Sequence, residues 1–242
     1  MKRRLLLAGL LLPGLAHAQG FSESQRAEIE RIIAELLKRD PKILRDALAA
    51  LEADDARAQA AAAQGAIAMN RDMLERNPAD PVLGNPQGSL TIVEFSDYRC
   101  PYCRRSHPDV RRLLAEDSSL RLVAKELPIL GPGSVVMARG ALAAQRQGKW
   151  QAANDRLIAF QGEPTEAAVV GTLVAIGLDE AKLRRDMADP SVAAQLQANL
   201  QLARLIGVSG TPAFVIGGQL QAGAMDLAEL RQAVAAARVA QR

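Results

Sequence analysis

Residues 89–116 read "SLTIVEFSDYRCPYCRRSHPDVRRLLAE". Ser89–Asp97 is a β-branched and apolar run of the kind that forms a buried strand. Pro101 then stands where a helix would have its first position, since the N–H it lacks is one that a helix start leaves unpaired. The pattern continues as a helix with Val110, Leu113 and Leu114 on its apolar face. Strand and helix therefore meet at Cys100. The chain has 242 residues and only two cysteines, Cys100 and Cys103, both in this turn.

The start of the chain sets the compartment in which those thiols are read. It begins "MKRRLLLAGLLLPGLAHAQG", with Lys2, Arg3 and Arg4 ahead of an apolar run from Leu5 to Leu15. Ala16-His17-Ala18 fits a small-x-small cleavage site, so residues 1–18 read as a signal peptide and Gln19 as the new terminus. The apolar run is short for a bilayer span, and Pro13-Gly14 interrupts it. The expected mature protein is soluble and periplasmic. The chain carries 30 Lys+Arg and 27 Asp+Glu, and removal of Lys2, Arg3 and Arg4 leaves 27 of each sign. No basic field remains to suit nucleic acid, and aromatics at 3% offer few stacking platforms.

In an oxidising compartment paired cysteines usually staple a small core, but this chain is long enough to bury a core without one. A Cys-x-x-Cys loop also closes too few residues to constrain the unfolded chain much. Zinc needs about four ligands, and the mature chain offers two thiols and one histidine, so no metal site is expected. A haem attachment needs His directly after the second cysteine, where Arg104 stands. Redox chemistry is what remains. At a strand-to-helix junction the unpaired N–H groups and the helix dipole stabilise a thiolate, which makes Cys100 the nucleophile. Cys103, one turn further in, is then the resolving thiol.

With these motifs in place, the chain resembles the thioredoxin superfamily, specifically the DsbA-like periplasmic thiol–disulfide oxidoreductases. "PVLGNPQGSLTIVEFSDYRCPYCR" is similar to the strand and active-site turn of that group. "LVAKELPILGPGS" resembles its next strand and the entry to its helical insertion, and "GVSGTPAFVIGG" its cis-proline loop. The implied fold is α/β: a thioredoxin fold with a helical insertion, preceded by an N-terminal helical region. The Ala/Leu/Val-rich runs between about 133 and 207 supply the insertion, and glycines or prolines end them. "AFVIGGQLQAGA" closes as a hairpin turning at Gly217-Gly218, and Asp226 with Glu229 forms a capping box for the last helix.

The resemblance assigns roles residue by residue. Cys100 and Cys103 form the redox-active disulfide. Glu94, six positions before Cys100, takes the place of a buried carboxylate. A Glu in an apolar strand is costly without a partner, and burial raises its pKa so that it can relay a proton for Cys103. Lys125 is its expected charge partner. Thr211 and Pro212 form the expected cis pair, where Thr211 offers backbone N–H and C=O to an extended substrate. Pro101 and Tyr102, between the thiols, complete the expected substrate-binding residues. His107 lies four residues after Cys103 with Pro108 behind it, and the mature chain has no other histidine, so we read it as a surface or packing residue.

Residues 19–76 stand apart from that fold. Ile29, Ile32, Ile33, Leu36 and Leu37 mark one apolar helix face; after Asp40-Pro41, Leu44, Ala47, Leu48 and Leu51 mark another. An alanine-rich stretch runs on to Leu74, and residues 77–88, "NPADPVLGNPQG", read as a connector to a redox domain at 89–242. Two short amphipathic helices cannot bury their faces alone. "IERIIAELLKRDPKILRDALAAL" resembles the oligomerisation segment ahead of some DsbA-like proteins, including the ScsC group. A homo-oligomer is expected.

The resemblance implies thiol–disulfide exchange with cysteine-containing exported proteins and no bound cofactor. It also implies a membrane redox partner, either a DsbD-like reductant or a DsbB-like oxidant. The oligomerisation region, and Thr rather than a bulky apolar residue before Pro212, lean towards isomerase or reductase. A DsbA-type oxidase is the alternative. A non-enzymatic chaperone or a copper(I)-binding thiol protein is a further one, since soft thiolates suit that ion.

Overall fold

Residues 21–241 are described in this computed structural model; the expected signal peptide lies outside them. Helix α1 (Glu23–Arg39) starts at Ser22, whose hydroxyl accepts from Gln25 N while the Gln25 side chain accepts from Ser22 N. Asp40 ends it and turns the chain into α2 (Lys42–Met69), accepting from Lys42 N at 3.1 Å. The Leu44–Leu51 helix and the alanine-rich stretch are thus one helix of 28 residues. Ile32, Ile33, Leu44, Leu48 and Leu51 are each about half exposed in the single chain. The chain divides into two compact units between Asp55 and Ala56, inside α2.

The second unit continues through α3 (Arg71–Glu75), β1 (Val82–Gly84), β2 (Leu90–Ser96), α4 (Pro101–Glu116) and β3 (Leu120–Glu126). Helices α5 (Pro132–Gln145), α6 (Trp150–Ile158), α7 (Glu166–Val174), α8 (Glu180–Ala188) and α9 (Pro190–Leu205) form the insertion. The chain closes with β4 (Ala213–Ile216), β5 (Gln219–Ala222) and α10 (Leu227–Ala240). The sheet order is β1-β3-β2-β4-β5; β2 and β3 are parallel and the other neighbours antiparallel.

Alternation along the strands sorts side chains onto two faces. Leu90 and Ile92 of β2, Leu120, Leu122 and Ala124 of β3, and Phe214 and Ile216 of β4 share one core with α4, the insertion and α10. Val93, Phe95, Val123, Ala213 and Val215 share the other with Ala66 and Ile67 of α2, Leu74 of α3 and Leu202 and Ala203 of α9. Inside the insertion α5 is rich in small residues, and it packs closely for that reason: a Cβ on Gly140 would lie 2.9 Å from Val169 and 3.0 Å from Leu173. The β4–β5 turn needs glycine because Gly217 and Gly218 both have positive φ, 58° and 79°. The expected capping box of the last helix is formed by Asp226 and Glu229.

The second compact unit begins at Ala56, and within it the end of α2, α3 and residues 77–88 cover or extend the sheet. Val82–Gly84 adds the edge strand β1 antiparallel to β3, and Pro81 O accepts from Ala124 N at 3.0 Å. A chain starting at Asn77 loses Ala66, Ile67 and Leu74 from the core. Deleting one large buried side chain alone costs about 2–5 kcal/mol, so such a chain is expected to unfold at markedly lower urea than one starting at Ala56. Coincident urea transitions for the two truncated chains would show that residues 56–76 do not belong to this core.

Candidate active site

The thiol turn is built around one buried carboxylate. Asp97, 1% exposed, accepts from Arg99 N through Oδ1 at 2.8 Å, and from Ile129 N and Leu130 N through Oδ2 at 2.9 and 3.0 Å. Its carbonyl accepts from Cys100 N at 3.0 Å. The same side chain therefore shapes the approach to Cys100 and holds the loop after β3 beside it. Cys100 is the N-cap of α4 and Pro101 occupies the first turn, as the sequence pattern predicts. The helix runs on through Pro108 to Glu116.

Both thiols are free and buried. Cys100 Sγ lies 3.1 Å from Thr211 O, to which it donates. The Thr211–Pro212 peptide is cis. The loop before β4 thus faces the N-terminus of α4 across 111 residues of sequence. Tyr102 is 55% exposed beside these groups, and Pro101 is exposed too. Cys103, 1% exposed, lies on the inner face of α4 near the side chains of Ser96 and Thr211. Burial is the main cause that pushes its thiol up to about 12. At neutral pH this sulfur holds its proton.

Below the thiols, Glu94 is half-buried on the β2 face that packs against α4. It lines a cavity of about 20 Å³ with Ser96, Tyr98, His107, Glu126, Trp150 and Asn154. That is room for roughly one water. Burial raises the Glu94 carboxyl to about 7. Glu126, at the end of β3, is a second carboxyl group on this cavity, one that the sequence pattern does not single out. It is 3% exposed, and its Oε1 accepts from Tyr98 OH at 2.7 Å and from Trp150 Nε1 at 3.1 Å. Burial lifts it to about 8, against the lowering effect of those two donors. Neither carboxylate has an ion-pair partner among the described residues. Ser96 lies near Cys103 and lines the same cavity as Glu94. His107, expected in a surface or packing role, donates from Nε2 to Asp155 Oδ1 at 3.0 Å and also borders the cavity. Burial lowers its pKa and Asp155 opposes that.

Lys125 is not the partner of Glu94. The parallel register sets Glu94 against Ala124 and Phe95 against Lys125, so the lysine side chain takes the opposite face of the sheet. There its ammonium pairs with Asp80 and donates to Met73 O at 2.6 Å. Both side chains are essentially fully buried; burial pulls Lys125 below its ordinary value and Asp80 opposes that. This pair belongs to the packing of residues 73–80 on the sheet, one layer away from the thiols. A lysine in a strand carries no mark of its face, and Asp80 comes from a stretch that reads as a connector.

Comparison with known proteins bears on this arrangement of strand, dithiol helix, insertion and Thr-Pro loop. The DSBA-like thioredoxin domain matches residues 91–235. The chain belongs to the DSBA-like thioredoxin family. The copper resistance protein ScsC N-terminal domain matches residues 25–58 of this DSBA-like protein. The chain is 45% identical to a thioredoxin-like oxidoreductase from Silicibacter pomeroyi DSS-3, with a TM-score of 0.68 over 70% of this chain and 98% of that one. Proteus mirabilis ScsC in a transitional conformation is 26% identical, with a TM-score of 0.67 over 91% of this chain and 100% of that one. A Na(+)/H(+) antiporter NhaA 1 of Salinispora arenicola is 35% identical over 166 residues, or 66% of this chain. The DSBA-like chain spans 26% of the length of that curated relative. Among the described residues, no helix is long and apolar enough to cross a membrane.

The two raised carboxyls tie stability to pH. Above about 4.5 the unfolded chain releases these protons, while the folded chain keeps them up to about 7 at Glu94 and about 8 at Glu126. The folded state then binds more protons than the unfolded one, so this contribution falls as pH rises through that window. Glu126→Gln removes its share. Urea unfolding of the reduced proteins should show the Gln variant gaining on wild type between pH 5 and pH 8, two values spanning most of that window. A stability difference that stays constant with pH would mean that Glu126 ionises as an ordinary exposed Glu does.

Proposed function

We propose that this DSBA-like protein is a periplasmic thiol–disulfide oxidoreductase acting on exported proteins, with disulfide isomerisation or reduction as its main direction. The observation that carries the reading is the asymmetry of the two thiols. Cys100 caps the N-terminus of α4 beside the Thr211 carbonyl, and Cys103 lies deeper with its proton held. A thiolate is the form that attacks a disulfide, and Cys100, at the start of α4, is the proposed sulfur that meets the substrate.

In the reducing direction, Cys100 attacks one sulfur of a substrate disulfide and expels the other as a thiolate, giving a mixed disulfide. Cys103 then loses its proton and attacks Cys100 Sγ, which forms the Cys100–Cys103 disulfide and releases the substrate as a dithiol. The oxidising direction reverses each step. Glu94 is the proposed acceptor of the Cys103 proton, through Ser96 and the small cavity, because its carboxyl titrates near neutral pH. Thr211 N–H and C=O, with Pro212, Pro101 and Tyr102, form the proposed seat for an extended substrate segment. The measurement that tests these roles is capture of substrate. Cys103→Ala should accumulate mixed disulfides through Cys100, Cys100→Ala should accumulate none, and Glu94→Gln should slow release roughly 10–100-fold. Equal capture by both cysteine variants would overturn the roles.

The lean towards isomerisation rests on the N-terminal unit. Its half-exposed Ile32, Ile33, Leu44, Leu48 and Leu51 form an apolar surface that a second copy of the chain would bury. Several dithiols held together raise the effective concentration of thiol around one misfolded substrate. The intact mature chain should sediment as an oligomer, and a chain starting at Ala56 as a monomer. The monomer should still reduce single disulfides yet lose most of its ability to refold a scrambled protein. Equal refolding by both would favour the oxidase reading.

A further inference from the structure

Three arginines surround the thiol turn, one just before Cys100 and two in the first turns of α4. Arg99 Nη1 donates to Leu130 O at 2.9 Å, and Arg104 Nε donates to Tyr98 O at 3.1 Å. The Arg105 guanidinium lies 5.0 Å from the centroid of the Tyr102 ring. Two backbone carbonyls and an aromatic face thus fix where these groups sit without cancelling their charge. Among the described residues none of the three has a carboxylate within 4 Å, whereas at the other end of the same helix Arg112 pairs with Glu116 at 2.9 Å. The acids nearest in sequence are Asp97 and Asp109. Asp97 is buried with both oxygens taken by backbone N–H groups, and Asp109 forms no ion pair among the described residues. Exposed Arg99 and Arg105 therefore present spare N–H donors beside the exposed Tyr102.

Fixed, unpaired guanidinium groups bind carboxylates well because their geometry is already set. We propose that Arg99, Arg104 and Arg105 make this site prefer substrates whose reacting cysteine is flanked by Asp or Glu. The attraction acts on encounter and on the first mixed disulfide, where substrate residues next to the reacting cysteine lie over the turn. This inference rests on the oxidoreductase reading. The reaction itself is unchanged: one peptide disulfide takes two electrons and two protons to become two thiols, and the protein dithiol becomes the Cys100–Cys103 disulfide.

The test uses the reduced mature protein and three symmetric disulfide-linked peptides that differ only in the residues beside cysteine: Glu, Ser or Lys. Each rate is divided by that of the same peptide with dithiothreitol, which removes the effect of flanking charge on the leaving thiol. At about 0.01 M ionic strength the corrected rate should be roughly tenfold higher for the Glu peptide than for the Lys peptide, and the ratio should approach one near about 1 M salt. Arg105→Glu, a change at an exposed side chain, should reduce the ratio several-fold, and Arg99→Gln with Arg105→Glu should abolish it. A corrected ratio of one at low salt, or a ratio that both variants leave intact, would overturn the proposal. Failure to reduce even the Ser peptide would instead overturn the oxidoreductase reading beneath it.

Discussion

The parallel pairing of β2 with β3 is the constraint on which the rest of this structure depends. Its register sets Glu94 beside Ala124 and Phe95 beside Lys125, and each strand alternates from there. A shift of one residue would exchange the faces of every side chain in β3. Glu126 would leave the cavity below the thiols, and Lys125 would enter it without Asp80. Two kinds of buried charge are kept apart by this one alignment. On one face an ion pair holds the segment before β1 to the sheet; on the other, two carboxyls without cations sit beneath the redox turn. The first is satisfied by attraction, the second by keeping protons.

Asp97 extends that alignment to the surface. It follows β2 directly and accepts from N–H groups of two separate loops, at Arg99 and at Ile129 and Leu130. The Leu127 N–H bonds to Ser96 O at 2.9 Å, which carries the β2–β3 pairing one step further. The thiol turn and the loop leading into the insertion are therefore one hydrogen-bonded body. Arg99 reinforces it through Leu130 O, so the residue that presents charge to the site also braces it.

Much of this was legible in the sequence because local chemistry carries it. Pro101 after an apolar strand marks a helix start, a Cys-x-x-Cys at that point marks a redox turn, and Gly217-Gly218 marks a hairpin. The insertion shows as apolar helical runs with glycine or proline ends. What stayed hidden depends on partners distant in the chain. The face taken by Lys125 follows from strand register, and its carboxylate comes from Asp80, 45 residues earlier. Glu126 gains its role from Tyr98 and Trp150, on a loop and a helix that no spacing rule joins to it. Ala66 and Ile67 lie in an alanine-rich run without clear periodicity, so their burial against the sheet could not be read from pattern.

The depth of Cys103 has a consequence for how the site would age under peroxide. In the proposed roles Cys100 is the sulfur that meets the oxidant first, and that reaction produces a sulfenic acid there. The neighbouring thiol, one turn below and still carrying its hydrogen, is positioned to condense with it, expelling water and forming a disulfide. That product is an ordinary state of the exchange cycle, and any thiol reductant restores it. The irreversible sulfinic stage would require a second oxidant to arrive before the neighbour responds. In those roles the buried cysteine is a repair reagent stored within one helical turn of the damage.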